Sequence, residues 1–222
     1  MTIRAVAFDY GGVLARFIDP AAVRLIARAS GAGGGSEKEA SASLATCVEA
    51  LWKNRAAYDS GDLDAEEYWT RVIRAAGTQE PTSQLIRLLM ELDTVGWSHM
   101  FPEMIRWAAA LKDAGYVTLI ISNMATATYD MLVRDAVWRD RFDHVILSGW
   151  LGINKPDRRI FEAAVEKTGV AAEYMLFLDD LAPNVAGASA AGLRSFQFVN
   201  PALLQETLHQ HQISLPDLEL DT

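Results

Sequence analysis

Apolar residues along the chain fall into short runs that end in polar residues or glycines. Residues 3–8 are apolar almost throughout, and the run stops at Asp9 and at the glycine pair Gly11–Gly12. A continuous apolar run of this length, closed by glycines, is typical of a strand buried on both faces of a parallel sheet. Runs of the same kind predict four more strands, over residues 116–121, 144–147, 174–178 and 194–199.

Helical patterns separate these predicted strands. Pro102 suits a first helical position and Gly115 suits a C-terminal cap, which predicts a helix between them. Asp157 can cap a helix over residues 158–168, and a third helix is predicted over residues 183–191. Strands that alternate with helices indicate an α/β fold with a Rossmann-like parallel sheet and right-handed crossovers.

One long segment interrupts the alternation of strands and helices. Residues 19–99 carry helical signals and no convincing strand, and Ser36 with Glu39 has the spacing of a capping box. The glycine-rich stretch 31–35 does not follow a strand, so we interpret it as a turn between helices and not as a phosphate-binding loop. We therefore predict a core domain of residues 1–14 and 100–222, with a helical cap domain of residues 15–99 inserted after the first strand.

The composition narrows the classes of function. Hydrophobic residues make up 50% of the 222 residues and charged residues 22%, which is enough apolar surface for a packed core. The formal charge of -9, without a Lys/Arg-rich stretch, disfavours binding to nucleic-acid phosphates. Cys47 is the only cysteine, no apolar run is long enough to span a bilayer, and the N-terminus lacks a signal-peptide pattern. We expect a cytoplasmic protein without nucleic-acid or membrane partners, and the sequence leaves open whether it is a monomer or a homodimer.

Chemically active side chains follow the predicted strands at their carboxyl ends. Ligands bind beyond these ends in an open parallel sheet, which selects Asp9, Ser122–Asn123 and Asp179–Asp180. Lys155 lies after the third strand, just before a predicted helix, and can reach the same crevice. The carboxylates would repel one another without a cation, and Mg²⁺ prefers carboxylates, water and substrate phosphate. A lysine charge and a serine hydroxyl suit the oxygens of a transferring phosphoryl group.

Four stretches of the sequence resemble a known family. FDYGGVL, ISN, NKPDRRIFE and FLDDLAPNVAGA are similar, in this order, to the four signature motifs of the haloacid dehalogenase (HAD) superfamily. The resemblance covers nearly the whole chain, and its third motif looks most like sugar-phosphate phosphatases and the N-terminal phosphatase domain of soluble epoxide hydrolases. It implies a Mg²⁺-dependent phosphomonoester hydrolase that acts through an aspartyl-phosphate. Its substrate would be a small phosphorylated metabolite, with a sugar phosphate as one candidate.

The resemblance also implies a role for each residue of the motifs. The implied catalytic residues are Asp9 as the nucleophile, with Ser122 and Lys155 to hold the phosphoryl group. The implied metal ligands are Asp9, the carbonyl of Gly11, Asp179 directly or through water, and Asp180. Substrate contacts are expected from residues beside the same crevice, which are Asn123, Gly11, Gly12, Arg16 and Phe17.

The first motif departs from the family pattern at Gly11. The family has a second Asp at this position, which protonates the leaving group and later activates water, and glycine can do neither. General acid–base catalysis contributes about 100- to 10,000-fold, so we expect either easier leaving groups or a proton from a cap residue or water. Two alternatives stay open. One is a 2-haloacid dehalogenase, which uses the same Asp9 on carbon without a metal, and the other is a catalytically silent binding protein of this fold.

Large side chains in the predicted cap could form either a substrate pocket or a packed core. Trp52, Arg55, Tyr58, Trp69 and Trp97 recur at helical spacing. Residues in such a pattern are more often part of a core than of a binding site. We therefore predict that this set packs inside the cap.

Overall fold

The computed structural model describes residues 2–77 and 79–220 of the chain. Its five strands are β1 (Ala5–Phe8), β2 (Val117–Ser122), β3 (His144–Leu147), β4 (Met175–Asp179) and β5 (Arg194–Gln197). They form one parallel sheet in the order β3-β2-β1-β4-β5. Each strand lies within two residues of a predicted run, so the predicted α/β sheet is confirmed.

Helices connect the strands and form the insertion after β1. The helices of the insertion are α1 (Pro20–Ala29), α2 (Glu37–Ser60), α3 (Ala65–Ala76) and α4 (Ser83–Gly96). Those of the core are α5 (Pro102–Asp113), α6 (Thr126–Leu132), α7 (Ser148–Leu151), α8 (Arg158–Thr168), α9 (Ala182–Ala190) and α10 (Pro201–Gln210), with 3-10 turns at Val137–Arg141 and Ala172–Tyr174. Within the described residues, no helix combines the length and the apolar character needed to cross a membrane.

The two faces of β1 pack against different layers of helices. Phe8 belongs to an apolar cluster that includes Trp107 of α5, and the two rings meet edge to face at a centroid distance of 5.6 Å. Ala7 points the other way, into a second cluster that includes Phe161 of α8. Because side chains alternate along a strand, burial on both faces explains why the first sequence run is apolar almost throughout.

The helical insertion is built as its local sequence predicts. The Ser36 side chain caps the first turn of α2, and its backbone N–H donates to the Glu39 carboxylate at 2.8 Å, which completes a capping box. The glycine-rich stretch 31–35 forms the turn between α1 and α2, and Gly31, Gly33 and Gly35 have positive φ angles there. Glycine is the residue that adopts this left-handed conformation without strain.

The two segments that connect the insertion to the core lie beside each other. The Phe101 N–H donates to the Leu14 carbonyl at 2.8 Å, and the Arg16 N–H donates to the His99 carbonyl at 2.7 Å. An isolated antiparallel bridge pairs Ala15 with Met100 at the same place. These contacts lie at the predicted boundaries of the cap, and the division into two domains stays a prediction.

Candidate active site

The strand order creates a crevice between β1 and β4. From β1 the chain proceeds to β2 and β3 on one side, whereas β4 and β5 lie on the other side. Asp9 follows β1 directly and Asp179 ends β4, which pairs with β1 in register. Ligands of open parallel sheets bind at such a switch point, so the topology itself brings two of the predicted residues to the expected place.

Lys155 joins the two carboxylates. Its Nζ lies 2.8 Å from Oδ1 of Asp9 and 2.7 Å from Oδ2 of Asp179, and the residue is only 4% exposed. Asn123 fixes the backbone beside this lysine, because its Oδ1 accepts from the Lys155 N–H at 2.7 Å and its Nδ2 donates to the Lys155 carbonyl at 3.1 Å. Asn123 therefore positions Lys155 as well as lining the crevice, a role that the sequence analysis did not foresee.

Asp179 is held more tightly than the other two acids. Its Oδ1 accepts from the Leu181 N–H at 2.9 Å, and Nδ2 of Asn184 donates to both carboxylate oxygens at 3.0 and 3.1 Å. The sequence analysis did not identify Asn184, although this residue lies in the first turn of α9, shortly after the acidic pair. Both carboxylate oxygens of Asp179 are therefore engaged by protein groups, and Oδ2 also accepts from Lys155.

Asp9, Asp179 and Asp180 form a cluster that suits a divalent cation. One carboxylate oxygen from each lies within 4.8 Å of the other two. Lys155 balances one of the three negative charges, so two remain, which is the charge that a divalent cation neutralises. Hard carboxylate oxygens are also the ligands that Mg²⁺ prefers. The residues present therefore fit the magnesium that the sequence analysis predicted.

The electrostatics of Asp9 follow from its burial. Burial raises the pKa of the Asp9 carboxyl to about 7, while Lys155 and the Ser122 hydroxyl act in the opposite direction and Asp179 raises it further. Burial likewise raises the pKa of Asp180, with the Asp179 charge as the second cause. Both pKa shifts have the same cause: the ionised carboxylates are unfavourable because negative charge is concentrated in a poorly hydrated crevice. A bound cation offsets that charge.

Two glycines of the first motif hold space for neighbouring groups. Gly12 has φ +79°, and a Cβ there would lie 2.4 Å from Cγ of Asp180. Gly11 has no such backbone requirement, but a Cβ there would lie 2.9 Å from Cζ3 of Trp97. The backbone at Gly12 thus lets the acidic pair approach Asp9, while the space that a side chain at position 11 would enter is filled by a tryptophan ring.

The crevice opens into a cavity of about 280 Å³ between the sheet and the insertion. On the core side it is lined by the predicted site residues Asp9, Gly11, Ser122, Asn123, Lys155 and Asp180, together with Asn184. On the side of the insertion it is lined by Phe17, Trp52, Arg55, Asp59 and Trp97.

The large residues of the insertion divide into two groups. Tyr58, Trp69 and Trp97 are buried in the main apolar cluster as predicted, and Trp52 packs against that cluster. Trp52, Arg55 and Trp97 also line the cavity, so the core interpretation does not account for the whole role of these three residues. Helical spacing does not separate the two groups, because a helix packed over a crevice buries one face against the crevice as well. The arrangement places aromatic side chains opposite the cluster of carboxylates.

Three predicted site residues, Gly12, Arg16 and Asp179, are absent from the cavity walls. Gly12 borders the acidic cluster and Asp179 is part of it, whereas Arg16 points elsewhere. Its guanidinium carbon lies 4.5 Å from the centre of the Phe101 ring, and the residue is absent from the cavity walls. Phe17, the next residue, points into the cavity instead. The prediction of Arg16 as a substrate contact therefore receives no support from this geometry.

A model of one protein family matches residues 3–192, and its description is haloacid dehalogenase-like hydrolase. The chain belongs to this family. This hydrolase is 26% identical over 203 residues to phosphatase MT3486 of Mycobacterium tuberculosis (strain CDC 1551 / Oshkosh), an alignment that covers 88% of the chain and 87% of that protein. It is 27% identical over 161 residues to (S)-2-haloacid dehalogenase of Pseudomonas sp. (strain YL), with 65% of the chain and 66% of that protein covered.

A solved structure shares the fold of this hydrolase. The HAD family enzyme bt-2542 of Bacteroides thetaiotaomicron, in complex with magnesium and inorganic phosphate, has a TM-score of 0.70 at 18% identity. The match covers 88% of this chain and 93% of that one. The predicted family, the HAD-like fold with its helical insertion and the assignment as a hydrolase are thereby confirmed.

Proposed function

We propose that this hydrolase cleaves small phosphomonoesters with the help of magnesium, and that Asp9 is its nucleophile. The observation that carries the proposal is the buried lysine bridge. Lys155 binds Asp9 and Asp179 at 2.8 and 2.7 Å, and the carboxylate of Asp180 completes an acidic cluster within 4.8 Å. A phosphatase needs a carboxylate nucleophile, a fixed positive charge and a metal-binding site at one point, and these residues supply all three.

The two chemical steps use residues on the core side of the cavity. An Asp9 oxygen attacks phosphorus, the bond between phosphorus and the ester oxygen breaks, and the alcohol leaves as an aspartyl-phosphate forms. Lys155 and the Ser122 hydroxyl bind the oxygens of the phosphoryl group, where negative charge accumulates. Magnesium, when bound, offsets that charge and orients the phosphoryl group. Water then attacks phosphorus, which releases inorganic phosphate and restores the Asp9 carboxylate.

The proton for the leaving alcohol cannot come from position 11. Among the acids that line the insertion side of the cavity, Asp59 is engaged with Arg55, whose Nε donates to its Oδ1 at 3.0 Å. We therefore assign the proton to water, which is a weak acid. The proposed enzyme should then act best on esters whose alcohol leaves easily, in line with the loss of about 100- to 10,000-fold that a missing general acid entails.

The dehalogenase alternative deserves a test because one relative carries that name. Two observations favour the phosphatase. The acidic pair Asp179–Asp180 would repel the carboxylate of a haloacid unless a cation were bound. The basic side chains among the described cavity residues, Arg55 and Lys155, are each already paired with two carboxylates. A haloacid carboxylate would therefore find no unpaired cationic side chain among the described residues of the cavity wall.

The test is release of phosphate from acetyl phosphate, a small reactive substrate that makes few demands on the cavity. We expect activity that requires Mg²⁺, ceases with chelator, and is lost in Asp9→Asn. Asp113→Asn, an exposed acid at the end of α5, is the matched control and should keep full activity. Chloride release from 2-chloropropionate without metal would replace the phosphatase by the dehalogenase, and inactivity on both substrates would favour the silent binding protein.

A further inference from the structure

The wall of the cavity opposite the carboxylates is aromatic. Phe17 and Trp52 stack with their ring centres 5.7 Å apart, and Trp97 meets Phe17 edge to face at 4.9 Å. Phe17 remains 55% exposed although it is a large apolar side chain. An aromatic wall that is only partly covered by the protein itself gains stability when an apolar group binds against it.

The arginine in this wall carries no free positive charge. Arg55 donates from Nε to Asp59 at 3.0 Å and from one terminal nitrogen to both oxygens of Asp93 at 3.0 Å. Two carboxylates thus face one guanidinium, so the group is negative overall. Trp97 lies beside this group, with its ring centre 5.6 Å from the guanidinium carbon and its indole N–H donating to Asp93.

The charge balance of the cavity therefore differs between its two ends. At the carboxyl ends of the strands, Lys155 and a bound cation attract a phosphate. At the aromatic end, the negative group around Arg55 repels a second anion, and indole and phenyl rings offer few hydrogen bonds to hydroxyl groups. An anionic or richly hydroxylated substrate would lose its hydration there without replacement.

We propose that the alcohol esterified to the phosphate is uncharged and apolar, with the size of about one ring. This inference rests on the proposed phosphatase function and names the class of its substrate. The size follows from the cavity volume of about 280 Å³, which must also hold the phosphate and is small among ligand pockets, whose usual range is about 300–1,000 Å³. With this proposal, the expected substrate is an apolar phosphate ester and no longer a sugar phosphate.

A series of phosphate esters of primary alcohols tests this inference, because leaving-group acidity alone would favour the hydroxylated and charged members over the ring esters. Benzyl phosphate and cyclohexylmethyl phosphate carry the apolar ring, glycerol 3-phosphate carries hydroxyls, and phosphoserine carries charge. We expect kcat/KM for the two ring esters to exceed that for glycerol 3-phosphate by about 10- to 100-fold, which corresponds to burial of one ring. Phosphoserine should be the poorest of the series. Equal or higher kcat/KM for the hydroxylated or charged esters would overturn the inference.

Substitution of the aromatic wall provides the second arm. Trp52→Ala should reduce the preference for benzyl phosphate over glycerol 3-phosphate by about 10-fold, chiefly through KM, because it removes apolar surface from the binding wall. Trp150→Ala is the matched control, since Trp150 is 47% exposed and lies outside the cavity. An unchanged preference in Trp52→Ala would contradict the assigned wall.

The acetyl phosphate assay separates the two ways of failing. If the protein hydrolyses acetyl phosphate with Mg²⁺ but does not prefer the ring esters, the substrate class is wrong and the phosphatase function stands. If acetyl phosphate is not hydrolysed either, the proposed function itself fails.

Discussion

The close approach of Trp97 to Gly11 predicts the effect of a single methyl group. A Cβ at position 11 would lie 2.9 Å from Cζ3 of the Trp97 ring, whereas ordinary contact begins at 3.4 Å. The ring cannot move freely, because its N–H is bound to Asp93 at 3.2 Å and its edge packs on Phe17. Gly11 lies outside the positive-φ region, so Gly11→Ala introduces a steric conflict without backbone strain.

The size of the effect follows from overpacking. Forcing an extra carbon into a packed site typically costs about 1–3 kcal/mol. For a chain of this length, each kcal/mol lowers the melting temperature by about 2–4 °C, so we expect a decrease of about 2–12 °C. Trp97→Leu removes the obstructing ring. In that background the same Gly11→Ala substitution should cost less than about 0.5 kcal/mol.

Denaturant unfolding of the four proteins in this cycle measures the coupling between the two positions. We expect a coupling of about 1–2 kcal/mol, well above the error of such cycles. Additive effects, or a Gly11→Ala protein as stable as the original, would refute the conclusion that Trp97 fills the space beside Gly11. The same geometry predicts that Gly11→Asp alone will not restore acid catalysis, whereas Gly11→Asp combined with Trp97→Leu will raise turnover of alkyl phosphates.

Three further predictions concern charge and backbone at the site. Gly12→Ala should cost at least about 1–2 kcal/mol from its left-handed backbone and weaken Mg²⁺ binding in a calorimetric titration, because the Cβ would strike Asp180 at 2.4 Å. Lys155→Met should abolish phosphate release and destabilise the metal-free protein by about 3–5 kcal/mol in urea, since it leaves buried carboxylates unpaired. Burial raises the pKa of Asp59 to about 6; folded protein thus holds this proton more tightly than unfolded protein, and stability should fall by about 3 kcal/mol as pH rises from 4 to 6. Asp59→Asn should remove this contribution and leave the one from Asp9, whose pKa is raised to about 7.

The sheet and the centre of the site could be predicted from the sequence because both depend on short-range signals. A strand such as β1, buried on both faces, must be apolar throughout, and the residue that ends it must lie at the carboxyl edge of the sheet. This rule predicts Asp9 and Asp179, and the position before a predicted helix predicts Lys155; in the structure Nζ of Lys155 lies within 3 Å of both carboxylates.

The walls of the site could not be predicted because they depend on pairing between distant elements. The state of Arg55 is decided by Asp93, which comes from α4 and lies 38 residues further along the chain. An arginine in a predicted cap helix looks like an anion-binding group until that partner is known. In the same way, helical spacing does not distinguish Trp69 from Trp52, and only the packing of the insertion over the sheet shows that the first is buried in the core and the second lines the cavity.

The missing acid and the aromatic wall are two aspects of one feature. The Cβ of any side chain at position 11 would collide with the ring of Trp97 as it now lies, so an acid at this position requires the ring to move or to be replaced. With the ring present, the leaving alcohol meets an apolar surface and receives its proton from water. The preference for apolar esters and the dependence of the rate on leaving-group acidity should therefore change together when Trp97 is replaced. A variant in which the two properties respond separately would show that they have different origins.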